Sequence, residues 1–171
     1  MHDWQRLASQ EGPTLRYRVS GISEQLAQTV RSTLQSPQYG HPAHVEVASG
    51  YGPCRQCLKT FNQGQEERIL FTFRPFVSPG ALPAPGPVFI HREACQQYDE
   101  LRFPEELRSV PLVLESYGER GMLLRQERVG ERTVEDLIEA QLAEPSVEYL
   151  HLRNAEAGCF IARVQPVFAC D

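Results

Sequence analysis

From Leu15 to Gly21 apolar and polar residues alternate, the period of a half-buried strand, and Gly21 closes the run. The period then lengthens. Ile22, Leu26, Val30 and Leu34 recur every four residues with Ala27 beside them, Ser23 is a good N-cap and Pro37 bars continuation, so the spacing predicts a helix over 23–35. Alternation returns over 44–48 and is broken by Gly50-Tyr-Gly-Pro53. The Cys54-Arg-Gln-Cys57 segment after it reads as a loop or one helical turn. Residues 67–76 are the best strand by β-branched and aromatic content, with Pro75 at a frayed or edge end.

Prolines crowd 78–87 and predict a stiff irregular loop, because each lacks the amide donor that helix and sheet need. A short buried strand is expected over 87–91 and a brief helix over 92–101. Residues 112–117 and 122–129 then read as two strands around a tight turn at 118–121. Thr133 caps a second helix, expected over 133–143, whose apolar positions are Val134, Leu137, Ile138 and Leu142 and which Pro145 ends. Strands over 147–153 and 159–164 flank a turn at 154–158. Hairpins outnumber βαβ units, so the expected class is α+β: a mostly antiparallel sheet with two main helices on one face, in a single domain over 1–171.

Composition agrees with a globular chain, at 171 residues, 41% apolar and 23% charged. No run approaches 18 apolar residues, which excludes a membrane-spanning helix. Lys59 is the only lysine among 17 basic residues, so positive charge sits on guanidinium groups suited to carboxylates and phosphates. Residues 1–92 carry 9 basic against 6 acidic groups and 93–171 carry 8 against 16, with no basic block of the kind that grips nucleic acid. Five cysteines, an odd number, with no export signal in view, make the reducing cytosol the expected compartment and reduced thiols the expected state.

The cysteines carry the most suggestive spacing. Cys54 and Cys57 can share a tetrahedral zinc, and His91 and Cys95, four apart on one side of an expected helical turn, can complete it. Against this, 33 residues separate the pairs and an isolated C-x-x-C is a weak signal; buried, unreactive thiols are the plain alternative. A redox dithiol needs a long helix after its first cysteine, and Gly64 arrives too soon.

The last hairpin is the other candidate. Period 2 sets Tyr149, His151 and Arg153 on one face and Leu150 and Leu152 on the other. A regular ladder puts Arg153 opposite Cys159, His151 opposite Ile161 and Tyr149 opposite Arg163. The plain alternative is a solvated face on which Arg163 covers Tyr149. Glycine-rich phosphate loops, a Walker motif and G-x-S-x-G are absent. His41 and His44 read as surface residues, and Cys170 as part of a tail.

Gly52-Pro-Cys54-Arg55 with Leu58, Gly64-Gln-Glu66, residues 69–76, residues 86–91, Tyr149-Leu-His151-Leu-Arg153-Asn154, Gly158-Cys159-Phe160 and Arg163 together resemble the bacterial family of domains of unknown function numbered 1203, over about 15–165. The resemblance implies a small single-domain bacterial protein and names no activity. In the family pattern the second cysteine, Cys57 here, belongs only to some members, so the likeness alone does not imply a four-ligand metal site. It singles out Cys54, Arg55, His91, His151, Arg153 and Arg163.

Two functions follow as expectations. One is a cytoplasmic pocket for a small anionic metabolite, with Arg55, Arg153 and Arg163 binding it, Cys54 as a thiolate held low by a guanidinium and His91 or His151 as general base. In it, Arg55 and the His151, Arg153 and Arg163 face converge on one concave site, and no cofactor is needed. The other is a noncatalytic interaction module with structural zinc on Cys54, Cys57, His91 and Cys95. Nucleic acid and membrane are expected partners in neither.

Overall fold

In the computed structural model, which describes residues 15–50, 52–75 and 85–168, two antiparallel sheets share the work expected of one. The larger is built from β1 (Arg16–Ser20), β5 (Asp99–Glu100), β6 (Leu112–Tyr117), β7 (Leu123–Arg128), β8 (Tyr149–Asn154) and β9 (Phe160–Val167), in the order β5-β1-β9-β8-β6-β7. The smaller is β2 (His44–Val47), β3 (Glu67–Phe73) and β4 (Gly86–His91), in sequence order. The class is α+β, as the period-2 runs and hairpin spacing indicate.

The helices are α1 (Glu24–Thr33) and α2 (Val134–Leu142). Each starts where its cap requires. Ser23 Oγ accepts from the Leu26 amide and Thr133 Oγ1 from the Asp136 amide, both at 3.2 Å, satisfying first-turn donors that lack a partner inside the helix. Leu34, in the left-handed region at φ 51°, stops α1 before Pro37.

The helices do not cover one face of one sheet. Leu137 and Ile138 of α2 bury against Leu112, Leu114, Leu150, Leu152 and Val164 of the larger sheet. Ala27 and Val30 of α1 belong instead to a second cluster, with Ile69, Phe71, Val88 and Ile90 of the smaller sheet. The physical reason is local: β3 pairs with its chain neighbours on both sides, so β2, β3 and β4 close a sheet of their own, and the nearer helix covers it. β9 joins the two cores, since Phe160 lies in one while Ile161 and Ala162 lie in the other.

No helix forms over 92–101. That backbone is engaged sideways: the Tyr98 amide donates to the Gln56 carbonyl at 2.9 Å, the Tyr98 carbonyl accepts from the Gly21 amide at 2.9 Å, and Gln97 Nε2 donates to the Gly21 carbonyl at 3.1 Å. Asp99 and Glu100 pair with the end of β1 as a short edge strand. Such lateral bonding outcompetes a short, weakly nucleated helix.

The register of the last hairpin also differs from a regular ladder. His151 stands opposite Arg163 and Arg153 opposite Phe160, with an irregularity between Leu152 and Arg153. Asn154 causes it. Its Oδ1 accepts from the Glu156 and Ala157 amides, both at 2.9 Å, winding the turn tightly before Gly158 reverses it at φ 75°. The expected proline-rich loop, apart from its last three residues, and Cys170 lie outside the described residues. Among the described residues no helix is long and apolar enough to cross a membrane.

Candidate metal centre

Residues 54–59 fold into a knuckle. The Cys54 amide donates to the Lys59 carbonyl and the Leu58 amide to the Cys54 carbonyl, each at 2.8 Å, and a bridge between Pro53 and Thr60 closes its base. Leu58 takes φ 60°, a conformation that favours glycine, yet its side chain is fully buried in the core beneath α2, which holds the turn against that preference. Gly21 passes directly under the knuckle. An added Cβ there would lie 2.3 Å from the Gln56 carbonyl oxygen and 2.6 Å from that of Arg55, so this approach needs glycine.

The knuckle points Cys54 and Cys57 at the end of β4 and at the segment that follows it. There the donor atoms of Cys54, Cys57, His91 and Cys95 all lie within 4.8 Å of one another. The Cys54 and Cys95 sulfurs are 3.8 Å apart, and Cys57 Sγ is 3.5 Å from Nδ1 of His91. A tetrahedral zinc with Zn–S bonds of about 2.3 Å and Zn–N of about 2.0–2.1 Å sets sulfurs about 3.8 Å apart and sulfur about 3.6 Å from nitrogen. His91 and Cys95 thus meet the knuckle as the metal reading requires, although an extended segment and not a helical turn brings them together.

The surroundings suit a cation. The His91 amide donates to Cys54 Sγ at 3.4 Å, and Arg31 Nη2, from the last turn of α1, donates to Cys95 Sγ at 3.4 Å. His91 Nε2 lies 3.5 Å from Glu66 Oε2, which leaves Nδ1 to face the sulfurs. A carboxylate on the distal nitrogen is the usual orienting partner of a metal-bound histidine. Burial opposes ionisation of Cys54, but hydrogen bonding with Cys57, Cys95 and His91 prevails and holds its thiol well below the usual thiol range. Bonding to Cys54 and Cys95, with burial, pushes Cys57 up; His91, bonded to the same two sulfurs, is raised to about 10. This is a cluster already sharing protons, which a divalent cation can replace. A cleft of about 710 Å³ opens on the Cys57, His91 and Cys95 side, lined also by Lys59, Glu66 and Arg102.

The arginines stand elsewhere. Arg55 is buried, and its Nε and Nη1 donate to the carbonyls of Phe160 and Pro53, both at 2.6 Å, tying the knuckle to β9. Burial lowers it to about 10. Arg153 donates to the Gly158 carbonyl and lies 3.4 Å from the buried Glu115 carboxylate, which also accepts from Tyr117 Oη and Gln126 Nε2. Arg163 covers the Tyr149 ring at 4.0 Å, the contact anticipated for that face. The face is not solvated, however. His151 is 1% exposed among the rings of Tyr117, Tyr149 and Phe160; burial, then Arg163 and Arg153, lower it to about 3.

Three side chains that touch the cluster escape sequence reasoning. Glu66 was within reach, because it stands in the Gly64-Gln-Glu66 motif just before β3. Arg31 and Gln56 carry no local signal; their relevance arises only where α1 and the knuckle meet Cys95. His41 and His44 are exposed, His41 against Tyr39 and His44 near Glu46.

Comparison with known proteins finds one family, described as a protein of unknown function (DUF1203), which matches residues 51–165, more than half of the chain and all four candidate ligands. No curated protein and no solved structure matches.

Proposed function

The chain belongs to the DUF1203 family, and from the geometry of its thiol and imidazole cluster we propose that it is a noncatalytic module built around one structural zinc ion on Cys54, Cys57, His91 and Cys95. The observation that carries this reading is the pair of donor separations, 3.8 Å between sulfurs and 3.5 Å between sulfur and imidazole nitrogen, which match the edges of a zinc tetrahedron. Three thiolates and one imidazole form a closed donor set, with no position left for a reacting water. Zinc bound there supplies cross-linking: it joins the knuckle, the end of β4 and the segment after it. A reducing compartment such as the cytosol would keep the three sulfurs available.

The anionic-metabolite reading draws less support. Arg55 has two of its donors on backbone carbonyls, Arg153 is held by Gly158 and Glu115, and His151 lines no part of the cleft beside the cysteines. These are the positions of residues that tie strands together. Elemental analysis of protein purified without chelators decides the matter. One zinc per chain, lost in Cys54→Ser and in Cys95→Ser and kept in Cys159→Ser, is the expected result; a wild-type protein free of metal after growth in zinc-replete medium overturns the reading.

A further inference from the structure

Cys95 differs from the other three candidate ligands in what holds it. Cys54 and Cys57 ride on the knuckle and His91 on β4, whereas Cys95 stands in an irregular stretch and is met by two side chains from separate segments. Arg31 Nη2 lies 3.4 Å from its sulfur, with Arg31 Nε fixed on the His91 carbonyl at 3.0 Å. Gln56 Oε1 lies 3.3 Å from the same sulfur, where it accepts the thiol proton. Gln56 is fully buried, and among the described residues its Nε2 has no hydrogen-bond partner.

We propose that Arg31 and Gln56 are positioning residues of the metal centre, both donating to the Cys95 sulfur when it is a metal-bound thiolate. This rests on the zinc reading and extends it to the shell outside the ligands. A thiolate has no proton to give, so Gln56 Oε1 loses its donor when the metal binds. A half-turn of the carboxamide, whose two ends are nearly equal in shape, then brings the unpartnered Nε2–H onto the sulfur. A buried N–H without a partner is the costlier defect, and this rotation exchanges it for an under-used carbonyl oxygen.

Charge points the same way. Zinc with three thiolates and a neutral imidazole carries a net charge of −1, and the Arg31 guanidinium is the cation placed on it. Glu66 adds a negative charge beyond His91, so the offset by Arg31 matters more. Because Arg31 also holds the His91 carbonyl, it locks Cys95 to the backbone of a second ligand and seats the last turn of α1 on the centre.

Zinc affinity of the full chain, read by competition with a chromophoric chelator, tests this with Arg31→Met, Arg31→Lys and Gln56→Met. Outer-shell partners of metal ligands are worth about 10–100-fold in affinity, so Arg31→Met is expected to bind zinc at least tenfold more weakly, and Gln56→Met several-fold. Arg31→Lys keeps the charge and recovers part of the loss. Cobalt supplies a second readout that a purely structural arginine would not move: fewer donors on the sulfur shift the thiolate-to-cobalt absorption to longer wavelength in Arg31→Met and Gln56→Met. Affinities within twofold of wild type and an unshifted cobalt spectrum in both, with the wild type binding one zinc, overturn this inference and leave the zinc reading standing. A wild type that takes up neither zinc nor cobalt overturns both.

Discussion

Gly21 lies so close beneath Gln56 that an added Cβ would stand 2.3 Å from the Gln56 carbonyl oxygen. The amide of the next residue, Ile22, donates to the Arg55 carbonyl at 2.7 Å, so the start of α1 and the knuckle share one backbone interface. Gly21→Ala must push the knuckle away. The expected result is a loss of about 1–3 kcal/mol, the usual range for overpacking, together with weaker zinc uptake. Gly52→Ala, where an added Cβ meets nothing within 4 Å, is expected to leave both unchanged. Equal behaviour of the two variants in chemical denaturation and metal titration would contradict this account.

Metal removal should unfasten the knuckle. Because binding to the folded state alone adds stability by mass action, stripping zinc with a chelator is expected to lower Tm, and zinc added back to restore it, with Tm rising as the logarithm of free metal above the Kd. Differential scanning calorimetry over a range of zinc concentrations checks this; a Tm indifferent to metal contradicts it.

His151 makes a pH prediction. Its ordinary value near 6.5 falls to about 3 in the fold, first through burial and then through Arg163 and Arg153. The folded protein therefore binds fewer protons than the unfolded chain between those values. The stability that His151 contributes is complete above about pH 6.5 and is lost as pH falls toward 3, at about 1.4 kcal/mol per pH unit. His151→Phe keeps a ring among Tyr117, Tyr149 and Phe160 and removes the titration, so its unfolding free energy should fall less steeply over this range. Parallel slopes for variant and wild type would show that another group dominates.

Arg153 and Glu115 form a clasp whose halves depend on each other. Glu115 is buried, and Arg153→Met leaves its carboxylate without the guanidinium, at an expected cost of about 3–5 kcal/mol. Adding Glu115→Gln removes the stranded charge and should recover part of that loss, a coupling that a double-mutant cycle in urea measures. Strictly additive costs would mean that the pair does not interact.

The period-2 and period-4 patterns were enough to locate every strand but β5, both helices and their serine and threonine caps, because those signals act within a few residues. What they could not carry was partition. Whether β3 joins the strand carrying His151 or closes its own sheet depends on the packing of Phe71, Ile90 and Val30, which no window of the sequence contains. The four thiol and imidazole groups of the candidate metal centre were legible from C-x-x-C and from His91 with Cys95, although the helix imagined for the second pair does not form. Arg55, Arg153 and Arg163 were legible as a group, but not their direction. A guanidinium reads the same in sequence whether it faces a ligand or, as Arg55 does, the carbonyls of Pro53 and Phe160.

On the zinc reading, the split of the candidate ligands between the knuckle and the far end of β4 has a kinetic consequence. Early in folding, Cys54 and Cys57 can find each other through a short loop, but His91 arrives only after the β3–β4 hairpin has closed, with Ile69 beside Ile90 and Arg68 beside His91. Long-range pairing of this kind is slow compared with local turns. A chain still being synthesised therefore holds only two of the four donors in place for as long as β4 is unmade. Capture by all four would therefore mark the moment at which β4 has closed on β3, making ion retention a report of that hairpin and not its trigger.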